Sequence, residues 1–402
     1  MTPETSDRFS ALEEALVKEG AGALFDRLAE TFRAEKKYPQ LFEALLMKKR
    51  HELGLPIQGT DSIRDLPEHL QAEIEEYYVG ACRTVGALYL ETGDIVAAWP
   101  YFRAIDEQAR VAEAIERWAP AAKSSGAPYD EAAGTATDAI IDIALHQGVH
   151  PVRGYSLVLS EHGVCRAITV YEHQFPFGGE VKETCGKMLL ERLHADLVAN
   201  LKSDIAAREG AEPADTDVRK LIADRPWLFE GYGYHVDVSH LQAVIRAAAI
   251  LTDKGALEKG LELCEYGRRL PRDFQHPDRP PFTDFYADYR IFIQALLGIG
   301  VDGAIRYFTQ KVPRGGDEDS VRFPAEVLVY LLYRTGRYRD AIEAHTQHLP
   351  NARPGSSVAP SLLELCDRAG DHTKLLANAR EKDDLLQYAA GLVHRAGPRT
   401  AD

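Results

Sequence analysis

The chain has 402 residues, of which 45% are apolar and 27% are charged, a balance typical of globular proteins. Its net charge of −15 arises from 47 basic and 62 acidic residues, and a surface of that sign repels both nucleic-acid phosphates and anionic lipid. We therefore expect neither a nucleic-acid partner nor a membrane partner.

The first residues and the cysteines indicate the compartment. The opening segment MTPETSDRFSALEEALVKEG has neither a cationic leader nor an apolar core, and the sequence has no run of 18 apolar residues, so we expect no signal peptide and no membrane-spanning helix. The five cysteines lie far apart and never form a CxxC pair. Thiols used in this way are typical of a reducing compartment. The sequence therefore predicts a cytoplasmic protein without disulfides or zinc fingers.

Residues 1–118 predict helical hairpins. The segment AGALFDRLAETFRAEKKYPQLFEALLMKKRHELG predicts two helices, with Pro39 in the first turn of the second, where proline is tolerated. A stronger pattern follows in VGALYLETGDIVAAWPYFRAI at 85–105, where small and large residues flank a glycine-aspartate turn: Gly86, Tyr89, Gly93, Asp94, Ala98 and Phe102. Small residues let two antiparallel helices approach, while aromatic side chains fill the groove beside them.

This hairpin resembles a tetratricopeptide (TPR) repeat, a unit of two antiparallel helices. One residue departs from the pattern, because Pro100 lies inside the second helix and should kink or shorten it. The resemblance implies a protein built from several such hairpins stacked side by side.

The sequence between residues 119 and 245 is less regular. Residues 119–137, APAAKSSGAPYDEAAGTAT, are small and polar, which predicts a linker or a mobile loop. Residues 138–245 predict an irregular helical section that is rich in histidine. Eight of the 14 histidines lie between His146 and His276, about a third of the chain. This enrichment is the strongest argument in the sequence for a functional site.

Four of these histidines fall in one stretch, HQGVHPVRGYSLVLSEHGVCRAITVYEH. His146 and His150 have the spacing of two ligands on one helical face. However, Pro151 pushes His150 out of the α region, so we expect His146 to end one helix and His150 to precede the next. The remaining residues predict a helix pair that ends near His173, where a histidine suits the helix dipole. The strand formers in CRAITVYE leave a β-hairpin over 155–172 as an alternative.

A further group of polar residues surrounds a predicted helix start in RPWLFEGYGYHVDVSHLQAVIRAAAILTD. Ser239 and Gln242 predict a capping box that begins the helix. His235 and Asp237 then lie just before the helix, and His240 lies in its first turn. Such a helix start, beside a loop dense in aromatic residues, predicts either a packed loop or a site for an anion or a metal.

Residues 246–402 return to the repeat pattern. VLVYLLYRTGRYRDAIEAHTQHLP and SLLELCDRAGDHTKLLANA each have the glycine turn of the TPR hairpin, and weaker copies precede them. The predicted turn glycines at 255, 300, 336 and 370 have spacings of 45, 36 and 34 residues. The last two are close to the 34-residue period of TPR arrays.

These patterns together predict an all-α fold, an α–α superhelix of TPR-like hairpins in 1–118 and 246–402 with an irregular middle section. The resemblance implies that such an array binds a protein or peptide segment on a concave face. We therefore expect an interaction protein that needs no cofactor. No phosphate-binding loop, nucleophile elbow, dinucleotide fingerprint or HExxH motif occurs in the sequence.

A metal-dependent or His/Asp acid–base enzyme on the same scaffold is the alternative. Its site would lie in the 146–240 region, with a divalent metal as cofactor and ligands drawn from His150, His173, His194, His235, Asp237 and His240. His194 lies on the apolar stripe of its helix, which predicts a buried, hydrogen-bonded histidine or the inner ligand of that site. An enzyme needs these side chains around one point, whereas a scaffold leaves them in separate contacts.

Overall fold

Helices form all of the regular secondary structure in the part of the chain that the structure describes. The computed structural model describes residues 3–58, 66–120, 131–315, 318–350 and 358–396. Over these ranges no strand occurs, so the all-α prediction is confirmed. None of the described helices is long and apolar enough to cross a membrane.

The chain divides into two compact units between Glu161 and His162. The helices of the first unit are α1 Pro3–Glu19, α2 Ala21–Ala34, α3 Tyr38–Glu52, α4 Glu68–Glu91, α5 Ile95–Ala104, α6 Gln108–Arg117, α7 Glu131–Ile141 and α8 Pro151–Leu157. Consecutive helices pack against each other from α1 to α6. The core between α2, α3 and α4 includes Tyr38, Leu41 and Val85.

The α4–α5 hairpin has the contacts that its sequence predicts. Gly93 adopts a φ of +79°, and the Asp94 side chain accepts a hydrogen bond of 3.0 Å from the backbone N–H of Ala97, which starts α5. A Cβ atom at Gly86 would lie 2.6 Å from Cε2 of Phe102. The glycine therefore lets the two helices approach until the phenylalanine ring covers it, and Pro100 is accommodated inside the ten residues of α5.

The second unit consists mainly of helix pairs. Its helices are α9 Gly163–Thr169, α10 Gly179–Glu209, α11 Val218–Ile222, α12 Val238–Ala248, α13 Lys254–Gly267, α14 Phe285–Leu296, α15 Val301–Lys311, α16 Glu318–Arg334, α17 Tyr338–His348, α18 Leu362–Ala369, α19 Thr373–Glu381 and α20 Leu385–Ala396. Gly300, Gly336 and Gly370 adopt positive φ angles between consecutive helices, as predicted. The prediction for Gly255 is wrong, because this residue lies in the first turn of α13, where Asp253 caps the helix through the N–H of Ala256.

The middle section is helical but irregular. Residues 151–162 and 163–174 form two helical segments, each of which ends in a π-helical turn. The β-hairpin alternative for 155–172 is therefore wrong. Residues 131–137, at the end of the predicted linker, belong to α7, and residues 121–130 lie outside the described ranges. The predicted boundaries at 118, 137 and 245 stay predictions.

Candidate functional site

His194 lies in the interior of the second unit. It lies on the long helix α10, and the residue is 9% exposed. The ring Nε2 lies 2.9 Å from Oε2 of Glu262 on α13, and the same oxygen accepts a 2.9 Å hydrogen bond from the backbone N–H of Val218. The predicted buried and hydrogen-bonded histidine is confirmed, and its partner is a carboxylate 68 positions away in the sequence.

His235 is held by two side chains in front of α12. Its Nδ1 lies 3.0 Å from the hydroxyl of Tyr266, and its Nε2 lies 3.3 Å from Oδ2 of Asp204. The imidazole is 4% exposed. Burial lowers the pKa of His235, and the nearby Asp204 carboxylate opposes that effect. These contacts hold the ring between α10 and α13.

Asp237 is the residue that caps α12. Its carboxylate accepts hydrogen bonds from the backbone N–H groups of Ser239, at 2.8 Å, and of His240, at 3.2 Å. These bonds, with that of the Ser239 hydroxyl first, lower the pKa of Asp237. The predicted capping box is therefore wrong: aspartate, an equally good cap, begins the helix at Val238, and the Gln242 amide donates to the carbonyl of His276 instead.

His240 lies in the first turn of α12, as predicted, and the remaining two predicted residues, His150 and His173, lie in different surroundings. In the first unit, His150 immediately precedes α8, as predicted, and its Nε2 is 3.1 Å from Oε2 of Glu116. In the second unit, His173 lies in the last turn of its helical segment with a side chain that is 71% exposed, 3.9 Å from Glu172.

None of the six predicted ligands belongs to a group of three metal-binding side chains in the described residues. Over those ranges, the group whose donor atoms all lie within 4.8 Å of one another is a different one, formed by Asp367, His372 and His394. No such group lies among the described residues of the 146–240 region, and a site there stays a prediction.

Buried histidines also lie outside that region. His345 on α17 is 6% exposed, and its Nδ1 has no hydrogen-bond partner among the described residues. Burial lowers the pKa of His345, and the Lys382 ammonium lowers it further. The fold therefore favours the neutral form of this imidazole.

We expect the stability of the second unit to fall as the pH is lowered from about 7 to about 5. An unfolded histidine takes up a proton below its ordinary pKa of about 6.5, whereas His345 resists protonation in the fold. Its contribution is thus present above that pKa and is lost as the pH falls towards the lower, folded value. Urea unfolding at three pH values should show that the free energy of unfolding changes less with pH for His345→Met than for the wild type. If His345→Met and the exposed control His173→Met both kept the pH dependence of the wild type, His345 would not be the source of that dependence.

An open apolar pocket lies in the first unit, at a place where no sequence motif predicts a site. It has a volume of about 500 Å³ and lies between α2, α3 and α5. The apolar side chains that line it are half-buried: Leu28, Phe32, Phe42, Met47 and Tyr101. The Phe42 ring contacts Tyr101 and Tyr78 edge-on, with centroids 5.3 Å and 5.5 Å away, which fixes the aromatic wall of the pocket.

The rim of this pocket is polar. Gln40 and Glu43, both exposed, follow Pro39 along α3 and line the opening. Among the described residues Glu43 makes no ion pair, unlike Lys48 on the same helix, which is paired with Asp26 at 2.5 Å. The pocket therefore combines an apolar floor with a carboxylate at its edge.

Comparison of the chain with models of known protein families, with curated proteins and with solved structures found no match.

Proposed function

We propose that this chain is a TPR-like helical-repeat protein that binds a protein segment in the apolar pocket of its first unit. The observation that carries the proposal is the open pocket of about 500 Å³ with three aromatic side chains and a methionine in its wall. Ligand sites in proteins are commonly of this volume and lined in this way.

The repeat character is supported by local geometry. Gly93, Gly336 and Gly370 each adopt a positive φ between two consecutive helices. The Gly86–Phe102 contact in α4 and α5 is the small-against-large packing that the TPR resemblance implies. TPR-like hairpins present side chains from neighbouring helices to a shared groove, and the side chains that line this pocket likewise come from three helices, α2, α3 and α5.

The lining favours a bulky apolar anchor as the bound group. Aromatic side chains and methionine are enriched at the centres of protein interfaces, and methionine adapts its shape to different partners. Phe32 and Phe42 pack on the core but remain partly exposed, and Met47 in the pocket wall is also only half-buried. An incoming leucine, phenylalanine or tryptophan side chain would remove this apolar surface from water.

The charge of the rim favours a basic residue beside that anchor. Glu43 is exposed and makes no ion pair among the described residues, and the whole chain carries a net charge of −15. Complementary charge speeds association and selects the partner. We infer that the bound segment carries lysine or arginine next to its apolar anchor.

Selection of displayed 12-residue peptides on the full chain tests this proposal. The enriched peptides are expected to share a bulky apolar residue with a lysine or arginine nearby. A parallel selection on Met47→Lys, which places a charge in the apolar wall, should not enrich them. Lysine at this partly exposed position can direct its ammonium to water, so the fold should persist. Enrichment of the same peptides on both proteins would place binding elsewhere and contradict the proposal.

A further inference from the structure

Three potential metal ligands meet near the end of the second unit. Oδ1 of Asp367 lies 2.7 Å from Nε2 of His372 and 3.0 Å from Nδ1 of His394. The three donor atoms all lie within 4.8 Å of one another. Two imidazoles and one carboxylate thus face a common point.

The turn between α18 and α19 brings the first two ligands together. Asp367 lies in the last turn of α18, and Gly370, the residue after the helix, has a φ of +66°. This left-handed residue reverses the chain, so that His372, the residue before α19, lies against Asp367 five positions earlier. His372 is 7% exposed and is therefore held firmly by its surroundings.

The third ligand comes from α20 through a close helix contact. A Cβ atom at Gly391 would lie 2.9 Å from Cδ2 of Leu375 and 3.0 Å from Cδ2 of Leu376 on α19. Glycine therefore lets α20 pack closely on α19. His394, three residues later and on the same face of α20, then reaches Asp367.

We propose that Asp367, His372 and His394 form a binding site for a divalent transition metal, with Zn²⁺ as the best fit. Neutral imidazole and carboxylate are zinc ligands at about 2.0–2.2 Å, and two such ligands of a tetrahedral ion lie about 3.4 Å apart. The separations of 2.7 Å and 3.0 Å between Oδ1 of Asp367 and the two imidazole nitrogens would widen by about 0.4–0.7 Å to admit the ion.

The partial exposure of two of the three side chains gives a metal ion access to the site and leaves one of its coordination positions open to solvent. The side chains of Asp367 and His394 are 37% and 46% exposed, whereas that of His372 is 8% exposed. A zinc ion with three protein ligands keeps its fourth position for water or another ligand. The site thus has one rigid inner ligand and two outer ligands that can adjust on binding.

Calorimetric titration of the full, untagged chain with ZnCl₂ tests this site, after purification without chelators. Wild-type protein is expected to bind one Zn²⁺ per chain. His394→Ala and Asp367→Asn each remove or weaken a direct ligand, and either change should reduce the affinity by at least about 100-fold, the upper range for outer-shell partners. His69→Ala, at an exposed histidine in the first unit, is the matched control and should bind as the wild type does.

Thermal unfolding with and without Zn²⁺ supplies a second readout. An ion that binds the folded chain raises its Tm, so Zn²⁺ should stabilise the wild type and His69→Ala but neither ligand variant. The unfolding curves without metal should also show that His394→Ala and Asp367→Asn fold, because both changes are at partly exposed positions. Absence of a one-per-chain site, or unchanged affinity in either ligand variant, would overturn the proposal.

Discussion

Replacing Asp288 by alanine is expected to lower the free energy of unfolding of the second unit by about 3–5 kcal/mol, the usual cost of breaking a buried ion pair. Asp288 on α14 is 0% exposed. Its carboxylate accepts hydrogen bonds from the Lys311 ammonium at 2.6 Å, from the Tyr307 hydroxyl at 2.5 Å and from the backbone N–H of Asp284 at 2.8 Å. Alanine would leave the Tyr307 hydroxyl and the Asp284 N–H without this acceptor, and the Lys311 ammonium would keep only the Pro281 carbonyl at 2.7 Å and the Thr283 hydroxyl at 3.4 Å.

Asp302→Ala is the matched control for this change. Asp302 forms an ion pair of similar length, 2.7 Å to Arg337, but its side chain is 73% exposed. Such surface pairs contribute about 0–1 kcal/mol. For a unit of this size we expect Asp288→Ala to lower Tm by roughly 6–20 °C and Asp302→Ala by much less. Equal losses in both variants would show that burial does not determine the effect.

Replacing Glu262 by alanine is expected to cost at least about 2 kcal/mol, because two buried groups lose their acceptor at about 1–3 kcal/mol each. These groups are the His194 ring and the backbone N–H of Val218, each 2.9 Å from Oε2 of Glu262. The contact between His194 and Glu262 joins α10 to α13, and the bond from Val218 attaches the first residue of α11 to the same carboxylate. Urea unfolding followed by circular dichroism measures the loss.

Two further variants test whether the loss of stability comes from the missing hydrogen-bond acceptor or from the loss of any glutamate side chain on this helix. Glu262→Gln retains one oxygen acceptor and should lose less stability than Glu262→Ala. Glu258→Ala removes a glutamate from the same helix, where the side chain is 44% exposed and 3.4 Å from Arg219, and it should cost under about 1 kcal/mol. If Glu262→Ala lost no more free energy of unfolding than Glu258→Ala, the contact between His194 and Glu262 would not contribute to stability.

The local features of the fold were predictable because they depend on neighbouring residues. Proline fixes its own φ and restricts the residue before it, so Pro39 and Pro151 each mark the first turn of a helix. Gly336 adopts the positive φ that a tight turn between helices requires. When two nearby residues can both cap a helix, the sequence pattern does not decide between them. Asp237 caps α12 although Ser239 with Gln242 matches the capping-box sequence.

The candidate sites were not predictable because they join residues from separate helices. Periodicity identifies the buried face of each helix, but it does not say which helices meet. Leu28, Phe42 and Tyr101 come from three helices and form one pocket. The enrichment of histidine between 146 and 276 drew attention to side chains with separate partners, whereas His372 and His394, 22 positions apart, meet at Asp367.

The measurement that tests the proposed function most directly is a fluorescence-anisotropy titration of a selected peptide with the full chain. We expect saturable binding by the wild type, and binding by Met47→Lys that is at least about tenfold weaker, since about 1.4 kcal/mol of apolar contact corresponds to that factor. Glu43→Lys should weaken peptides that carry a basic residue, whereas Glu91→Lys, the same charge change at an exposed position of α4, should not. Equal affinity of the wild type and Met47→Lys would contradict the assignment of this pocket as the binding site.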